Sequence, residues 1–402
     1  MVRDHYSQTS DVNIPLIRAN PPRLSRMQPA LAALEASGIF SNNGALVRRF
    51  EAEATERLFG GAGACVTVSN ATLGLILACR LAADRGPAGR LALMPSFTFA
   101  AAAQAALWAG LTPMLCDIDP DSWVLSDQAV ERALQAHGNR VGLVMPYATF
   151  GTCIDLERYD WLSRRYEVDV VVDAASSLGS RDAQGRGFGT GSRLTCVYSM
   201  HATKTFATAE GGLMYSTDAA RMETLRSMAN YGFAAGRSAS MPGLNAKMSE
   251  VIALLALAKL RDIDAAVERR AALAVRYRQT LRGFGFQTSL GKVQAMAFMP
   301  VLLPSHLAAR RQGIVDALAA RGIGAGMYFS PHLAEQPYFR DNCEIGRLPV
   351  TRDIAARTLV LPLADDMLEE EVDVVCDALQ DLCFPSLRRA QAATDIPMTA
   401  LA

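Results

Sequence analysis

Of the 40 Lys and Arg residues in this chain only four are lysines: Lys204, Lys247, Lys259 and Lys292. Chemistry that needs a side-chain amine therefore has four candidates. Lys204 lies in Tyr198-Ser199-Met200-His201-Ala202-Thr203-Lys204-Thr205, a hydroxyl-rich loop after an apolar run. A lysine held by a rigid loop beside a pocket can form a Schiff base. The other three have blander settings, and Lys259, inside a long helical stretch, is expected to be solvated. His201 offers a base, or simply a packing and hydrogen-bonding residue. Asp173 ends the run Val170-Val171-Val172, where a carboxylate is costly unless it is paired. It can hold a cationic ring nitrogen or a metal, or cap the next segment. No second carboxylate or histidine lies beside it at ligand spacing, so no metal site is expected. Ser69-Asn70-Ala71-Thr72 leads from a strand into a helix, which suits either an anion held by backbone N–H groups or a plain N-cap. Glu210-Gly211-Gly212 permits a tight turn or close backbone approach.

Ligands of open α/β sheets sit at the carboxyl ends of the strands, so the elements around these residues decide whether they meet. Seven short apolar runs read as strands buried on both faces: 64–68, 91–94, 112–117, 141–146, 169–173, 194–199 and 212–216. Helical spacing falls between them over 71–83, 100–109, 127–136, 156–166 and 219–228, often behind Asn, Asp or Ser. The alternation predicts an α/β fold, with a large domain of mainly parallel strands flanked by helices. A helix over about 249–281 leads into a smaller C-terminal α+β domain. That domain has strands expected at 293–303, 326–329 and 358–363 and helices at 307–321 and 368–382. The expected organisation is an N-terminal arm (1–13), a large domain (14–248), the connecting helix and small domain (249–384), and a tail (385–402) with a short helix near 387–393.

Composition narrows the function classes. The chain has 402 residues, half of them hydrophobic, with 40 acidic residues against 40 basic. Balanced charge gives no reason to expect nucleic acid as a partner. No apolar stretch reaches the length of a membrane span, and the polar N-terminus does not read as a signal peptide, so a cytoplasmic protein is expected. Eight cysteines without a CxxC pair, mostly inside apolar runs, read as buried free thiols. Gly185-Arg186-Gly187-Phe188-Gly189-Thr190-Gly191 neither follows a strand nor opens a helix, so it reads as a turn and a nicotinamide oxidoreductase is set aside.

An ordered set of motifs carries a family resemblance. Ser69-Asn70-Ala71-Thr72, Pro95-Ser96-Phe97-Thr98-Phe99, Asp117-Ile118-Asp119, Asp173-Ala174-Ala175 and Ser199-Met200-His201-Ala202-Thr203-Lys204 succeed one another. Glu210-Gly211-Gly212, Asn230-Tyr231-Gly232 and Gly243-Leu244-Asn245-Ala246-Lys247-Met248-Ser249-Glu250 follow. From about Ile14 to Leu382 the chain resembles the DegT/StrS-type sugar aminotransferases, pyridoxal-phosphate enzymes of fold type I with a seven-stranded main sheet. The resemblance implies that Lys204 is the Schiff-base lysine. It makes Asp173 the partner of the pyridine nitrogen, which keeps the ring an electron sink. Ala71, Thr72 and Ser199 would bind the phosphate, and Phe99 would stack on the ring. Asn245 would reach the phosphate of a neighbouring subunit, so the family likeness also implies a homodimer with shared sites.

Two departures stand out. The family's Gln or His near the cofactor's phenolic oxygen is replaced by the shorter Ser176, and its Ser-Gly-Thr phosphate turn reads Asn70-Ala71-Thr72. The implied reaction moves an amino group from glutamate or glutamine to a keto sugar, nucleotide-linked, in aminosugar biosynthesis. The His201-Ala202-Thr203-Lys204 wording is similar to enzymes acting at the 4-keto position of deoxy sugars. The alternative on the same scaffold is a dehydratase, deaminase or other carbon-centred reaction; retained Lys204 argues against the dehydratase variant, which carries His there. A third reading, a non-enzymatic scaffold, conflicts with the presence of both Lys204 and Asp173. Arg237 and His332 are further candidates for substrate contact.

Overall fold

The computed structural model describes residues 13–85 and 90–385; the N-terminal arm and the short helix expected near 387–393 lie outside them. The elements in chain order are α1 (Gln28–Ser37), α2 (Ala45–Phe59), β1 (Ala64–Val68), α3 (Ala71–Arg85), β2 (Leu91–Pro95), α4 (Ala100–Trp108), β3 (Thr112–Cys116) and α5 (Asp127–His137). Then come β4 (Val141–Val144), α6 (Leu156–Tyr166), β5 (Asp169–Asp173), β6 (Thr195–Ser199), β7 (Gly212–Ser216), α7 (Ala219–Met228) and α8 (Glu250–Thr280). The remainder is β8 (Met299–Leu302), α9 (Arg311–Ala320), α10 (Pro337–Asn342), β9 (Glu344–Ile345), α11 (Pro349–Arg357), β10 (Thr358–Leu361) and α12 (Glu369–Cys383).

Side chains of successive strand residues leave on opposite faces, and here both faces are covered. In β5, Val170 and Val172 enter one core while Val171 enters the other. The first core lies under α2, α6 and the front of α8; the second lies under α3, α4 and α7. This two-sided burial explains why the strands read as unbroken apolar runs. Side-chain oxygens start the helices: Ser126, Asp155, Asp218 and Ser249 each accept a first-turn N–H of α5, α6, α7 and α8.

The main sheet runs β1-β7-β6-β5-β4-β2-β3-β9, with β7 antiparallel to both neighbours and every other pair parallel. Among the described residues it has eight strands rather than the expected seven. The addition, β9, is two residues long and pairs only with the edge strand β3, so no apolar run announces it.

A second sheet pairs β8 with β10 antiparallel. Its core is built from α9, α12 and the rear of α8, including Leu273, Ala274 and Tyr277. The single 31-residue α8 thus contributes to the first core of the main sheet and to this one. The expected strand at 326–329 reduces to a bridge between Gly326 and Val360, and the strand expected over 293–303 to its last part. Val293 instead bridges Arg181 next to the main sheet. Lys259, expected in solvent, is 4 % exposed and pairs with Asp365 at 3.7 Å. Asp365, between β10 and α12, brings its carboxylate to that face of α8.

Candidate active site

The carboxyl ends of β1, β2, β4, β5 and β6 lie on one side of the sheet, together with the start of antiparallel β7. Gly212 opens β7 and pairs with both Val68 and Ser199, the last residues of β1 and β6. A Cβ on Gly212 would stand 2.7 Å from the Ala71 nitrogen and the Asn70 carbonyl carbon. The glycine pair thus serves close backbone approach, bringing three strand ends against the start of α3.

That helix start offers free backbone donors. Asn70 Oδ1 accepts the Leu73 N–H at 2.9 Å and the Asn70 carbonyl accepts that of Gly74 at 3.3 Å. The N–H groups of Ala71 and Thr72 have no partner among the described residues, and the helix dipole adds partial positive charge there. Ser199 is buried; its Oγ accepts the His201 N–H at 3.2 Å and keeps its own hydrogen to donate. Phe99 stands between the end of β2 and the start of α4, with 57 % of its surface exposed.

Asp173 is 3 % exposed at the end of β5. Oδ1 accepts the Ala175 N–H at 3.0 Å, and no protein donor meets the other oxygen among the described residues. Burial pushes its pKa up to about 6, against the pull of the Ala175 N–H and of Lys204. Lys204 is half-buried, and its amine reaches Ser176 Oγ at 3.2 Å. The surrounding protein pushes the amine's pKa below its ordinary value, opposed by the Asp173 charge. A carboxylate and an amine that influence each other yet form no ion pair leave both free for a third group.

His201 is committed elsewhere. Its Nδ1 meets Thr203 Oγ1 at 2.9 Å and the Thr203 N–H at 3.2 Å, which shapes the loop before Lys204. Among the other lysines, Lys247 donates to Asn230 Oδ1 at 2.9 Å and lies over the Tyr231 ring, while Lys292 is exposed. Asn245 is exposed with no side-chain partner among the described residues; its backbone bridges Asn230, and the carbonyl of Ala246 accepts the Ser69 N–H at 2.7 Å. The described chain therefore brings Ala71, Thr72, Asp173, Ser176, Ser199 and Lys204 to one side of the sheet, with Asn245 turned outward. His332, a candidate for substrate contact, is instead buried, its Nδ1 2.8 Å from Ser96 Oγ, and ties its loop to the end of β2. Arg237 is exposed in a short turn at φ +60°.

The sequence reading missed Tyr147. Its backbone bridges Asp173, and its hydroxyl lies 3.2 Å from Ser176 Oγ. The signal was available: a residue able to hydrogen-bond, placed just past an apolar strand, as Asp173 is. An aromatic group of Phe97, Trp123, Phe150 and Phe329 backs this corner.

These residues fit pyridoxal phosphate. The free N–H groups and Ser199 suit its phosphate, the unsatisfied Asp173 oxygen a protonated ring nitrogen, Phe99 a ring face, and Lys204 its carbonyl. Among the described residues no cluster of ligands could hold a metal ion, and no helix is long and apolar enough to cross a membrane.

Comparison with known proteins agrees. The family model for the DegT/DnrJ/EryC1/StrS aminotransferase family matches residues 24–380. The Mycobacterium tuberculosis (strain H37Rv) protein Rv3402c is 30% identical over 375 residues, covering 92% of this chain and 90% of that protein. The dTDP-4-amino-4,6-dideoxy-D-glucose transaminase of Escherichia coli is 26% identical over 90% of this chain and 97% of its own. The structure of DesI, solved in the presence of its TDP-sugar product, superposes with a TM-score of 0.83 at 29% identity, covering 97% of this chain and 98% of that one. Sequence, fold and site together place the chain in the DegT/DnrJ/EryC1/StrS aminotransferase family, as a pyridoxal-phosphate-dependent aminotransferase of fold type I.

Proposed function

We propose that the protein transfers an amino group from glutamate or glutamine to a keto sugar carried on a nucleotide, in aminosugar biosynthesis. The observation that carries this reading is the Lys204 amine, unpaired by any carboxylate among the described residues and hydrogen-bonded to Ser176, beside the buried Asp173. The sugar class is supported by the names of the Escherichia coli transaminase and of DesI with its TDP-sugar product.

Bound pyridoxal phosphate supplies a carbonyl that exchanges the amino group and a ring that takes up the electron pair freed at carbon. The chain's residues do the rest. The start of α3 and Ser199 fix the phosphate end, and Asp173 holds a proton at the ring nitrogen. Lys204, with its amine pKa lowered by burial, accepts a proton at one carbon and returns it at another. We further propose that Asn245, exposed and without a side-chain partner among the described residues, completes the phosphate site of a second subunit in a homodimer.

Visible absorption of the loaded protein tests the donor. Added L-glutamate should convert the cofactor band to the aminated form; an unchanged band would overturn glutamate as donor. Mixing Lys204→Ala with Asn245→Ala subunits should restore part of the activity that each lacks. No recovery under subunit exchange would contradict the shared site.

A further inference from the structure

Ser176 is too short to fill the place of a Gln or His, but it does not stand alone. Its Oγ lies 3.2 Å from the Lys204 amine and 3.2 Å from the Tyr147 hydroxyl. Tyr147 is buried, and its ring is fixed from two sides. Its backbone bridges Asp173, with the Ala148 N–H on the Asp173 carbonyl and the Asp173 N–H on the Pro146 carbonyl, both at 2.9 Å. Its ring meets Phe329 edge-on at 5.9 Å, and Phe329 stacks on Phe150 at 5.4 Å. The backbone pairing and the ring contact thus hold the hydroxyl beside Ser176, with the Phe150 backbone as a further hydrogen-bond partner.

We propose that Tyr147 is a positioning residue for Lys204, acting through Ser176: the phenol holds the serine hydroxyl toward the amine, and the two hydroxyls together set the amine's affinity for a proton. This rests on the reading of Lys204 as the reacting amine. An ammonium that donates to Ser176 Oγ is better stabilised when the serine hydrogen can in turn be passed to the Tyr147 oxygen, because hydrogen bonds in a chain polarise one another. Burial, with the Asp173 charge, keeps Tyr147 in its neutral phenol form, so it serves as a fixed dipole. Two groups able to carry charge face the amine from neighbouring strands: Asp173 at the end of β5 and Tyr147 beyond the end of β4. His201, on the lysine's own loop, is turned to Thr203 at 2.9 Å and Glu210 at 3.6 Å. Burial alone drives Lys204 toward the neutral amine. Asp173 and the hydroxyl pair oppose that drift, and a group that both accepts and returns a proton works best with its pKa near the working pH.

The test is the pH dependence of acetylation at Lys204 in the full-length cofactor-free protein, read by mass spectrometry with exposed Lys292 as internal reference. Tyr147→Phe keeps the ring and removes only the hydroxyl. It should lower the Lys204 midpoint by about half a pH unit or more, and Ser176→Ala should lower it at least as far. The double variant should match Ser176→Ala alone, because the phenol acts only through the serine. In the loaded protein the visible band's pH titration should move in Tyr147→Phe and Ser176→Ala but no further in the double variant. A Tyr147→Phe midpoint within about 0.2 pH unit of the parent protein would reduce Tyr147 to packing. Shifts that sum in the double variant would make the two hydroxyls independent. Either result overturns the proposal without touching the aminotransferase assignment, which the response to glutamate tests separately.

Discussion

Two lysines are drawn into this protein, and their surroundings differ. Lys259, on α8, lies among charges: Asp365 pairs with it at 3.7 Å and with Arg270 at 2.7 Å. Arg270 also donates to the carbonyls of Met296 and Leu363, at 3.2 and 2.8 Å. Every charge in that junction has an opposite partner, and the arrangement joins α8 to the segments around β8 and β10. Lys204 has no such partner among the described residues. It reaches a hydroxyl, and the nearby carboxylate of Asp173 keeps an oxygen without a protein donor. Burial lowers the pKa of both amines. What would separate a structural lysine from the proposed reactive one here is whether its charge already has a carboxylate partner in the fold. The paired site joins α8 to the small sheet, while at the other the amine meets a hydroxyl and the carboxylate a backbone N–H, the arrangement on which the proposed cofactor site rests.

The largest expected effect separates the two lysines outright. Lys204→Ala should cut transamination by at least about 10^3-fold while leaving the unfolding transition nearly unchanged. Assay of turnover beside thermal denaturation would show it, and retained turnover would erase the distinction. The reverse pattern is expected at the junction. Asp365→Ala leaves the Lys259 and Arg270 cations without their carboxylate and should destabilise the chain by about 3–5 kcal/mol in urea unfolding. Turnover per folded molecule should persist. If Asp365→Ala instead abolished turnover at unchanged stability, the junction would belong to the active site.

A smaller effect sharpens the comparison through pH. The Asp173 pKa, pushed up to about 6 from an ordinary 3.8, means that the folded chain binds more protons than the unfolded chain between those values. Stability therefore falls as pH rises from about 4 to 6, and the cost, up to about 3 kcal/mol, is complete above that range. Asp173→Asn should raise the melting temperature of the cofactor-free protein at pH 8, with little change at pH 3.5, while losing most activity. A lower melting temperature at pH 8 would contradict the burial cost assigned to this carboxylate. The smallest effect tests the shared support. Ser249 accepts the Ile252 N–H at the start of α8, and Ser249→Ala should cost about 1 kcal/mol with turnover unaffected.

Much of this arrangement was legible in the residues. Runs such as Val170–Val172 gave the seven strands because burial on both faces leaves no polar alternation to obscure them. Asp173 and Lys204 were found as polar residues at strand ends. The paired glycines marked the turn that the structure shows to be a close approach to α3. What stayed hidden depends on distant partners. The solvated reading of Lys259 failed because its partner, Asp365, lies 106 positions away in sequence. Strand β9 is too short to carry a pattern. Tyr147 offered the sequence only its place past an apolar run; that its hydroxyl reaches Ser176 emerges once β4 and β5 stand side by side. The reading of 326–329 as a strand counted apolar residues that instead build the aromatic corner through Phe329.

The most direct test of the central claim is borohydride reduction of the loaded protein followed by peptide mass spectrometry. The account predicts that the added mass of reduced pyridoxal phosphate falls on Lys204, with none on Lys247, Lys259 or Lys292. Attachment to another lysine, or no attachment at all, would contradict the assignment of Lys204 as the reactive amine.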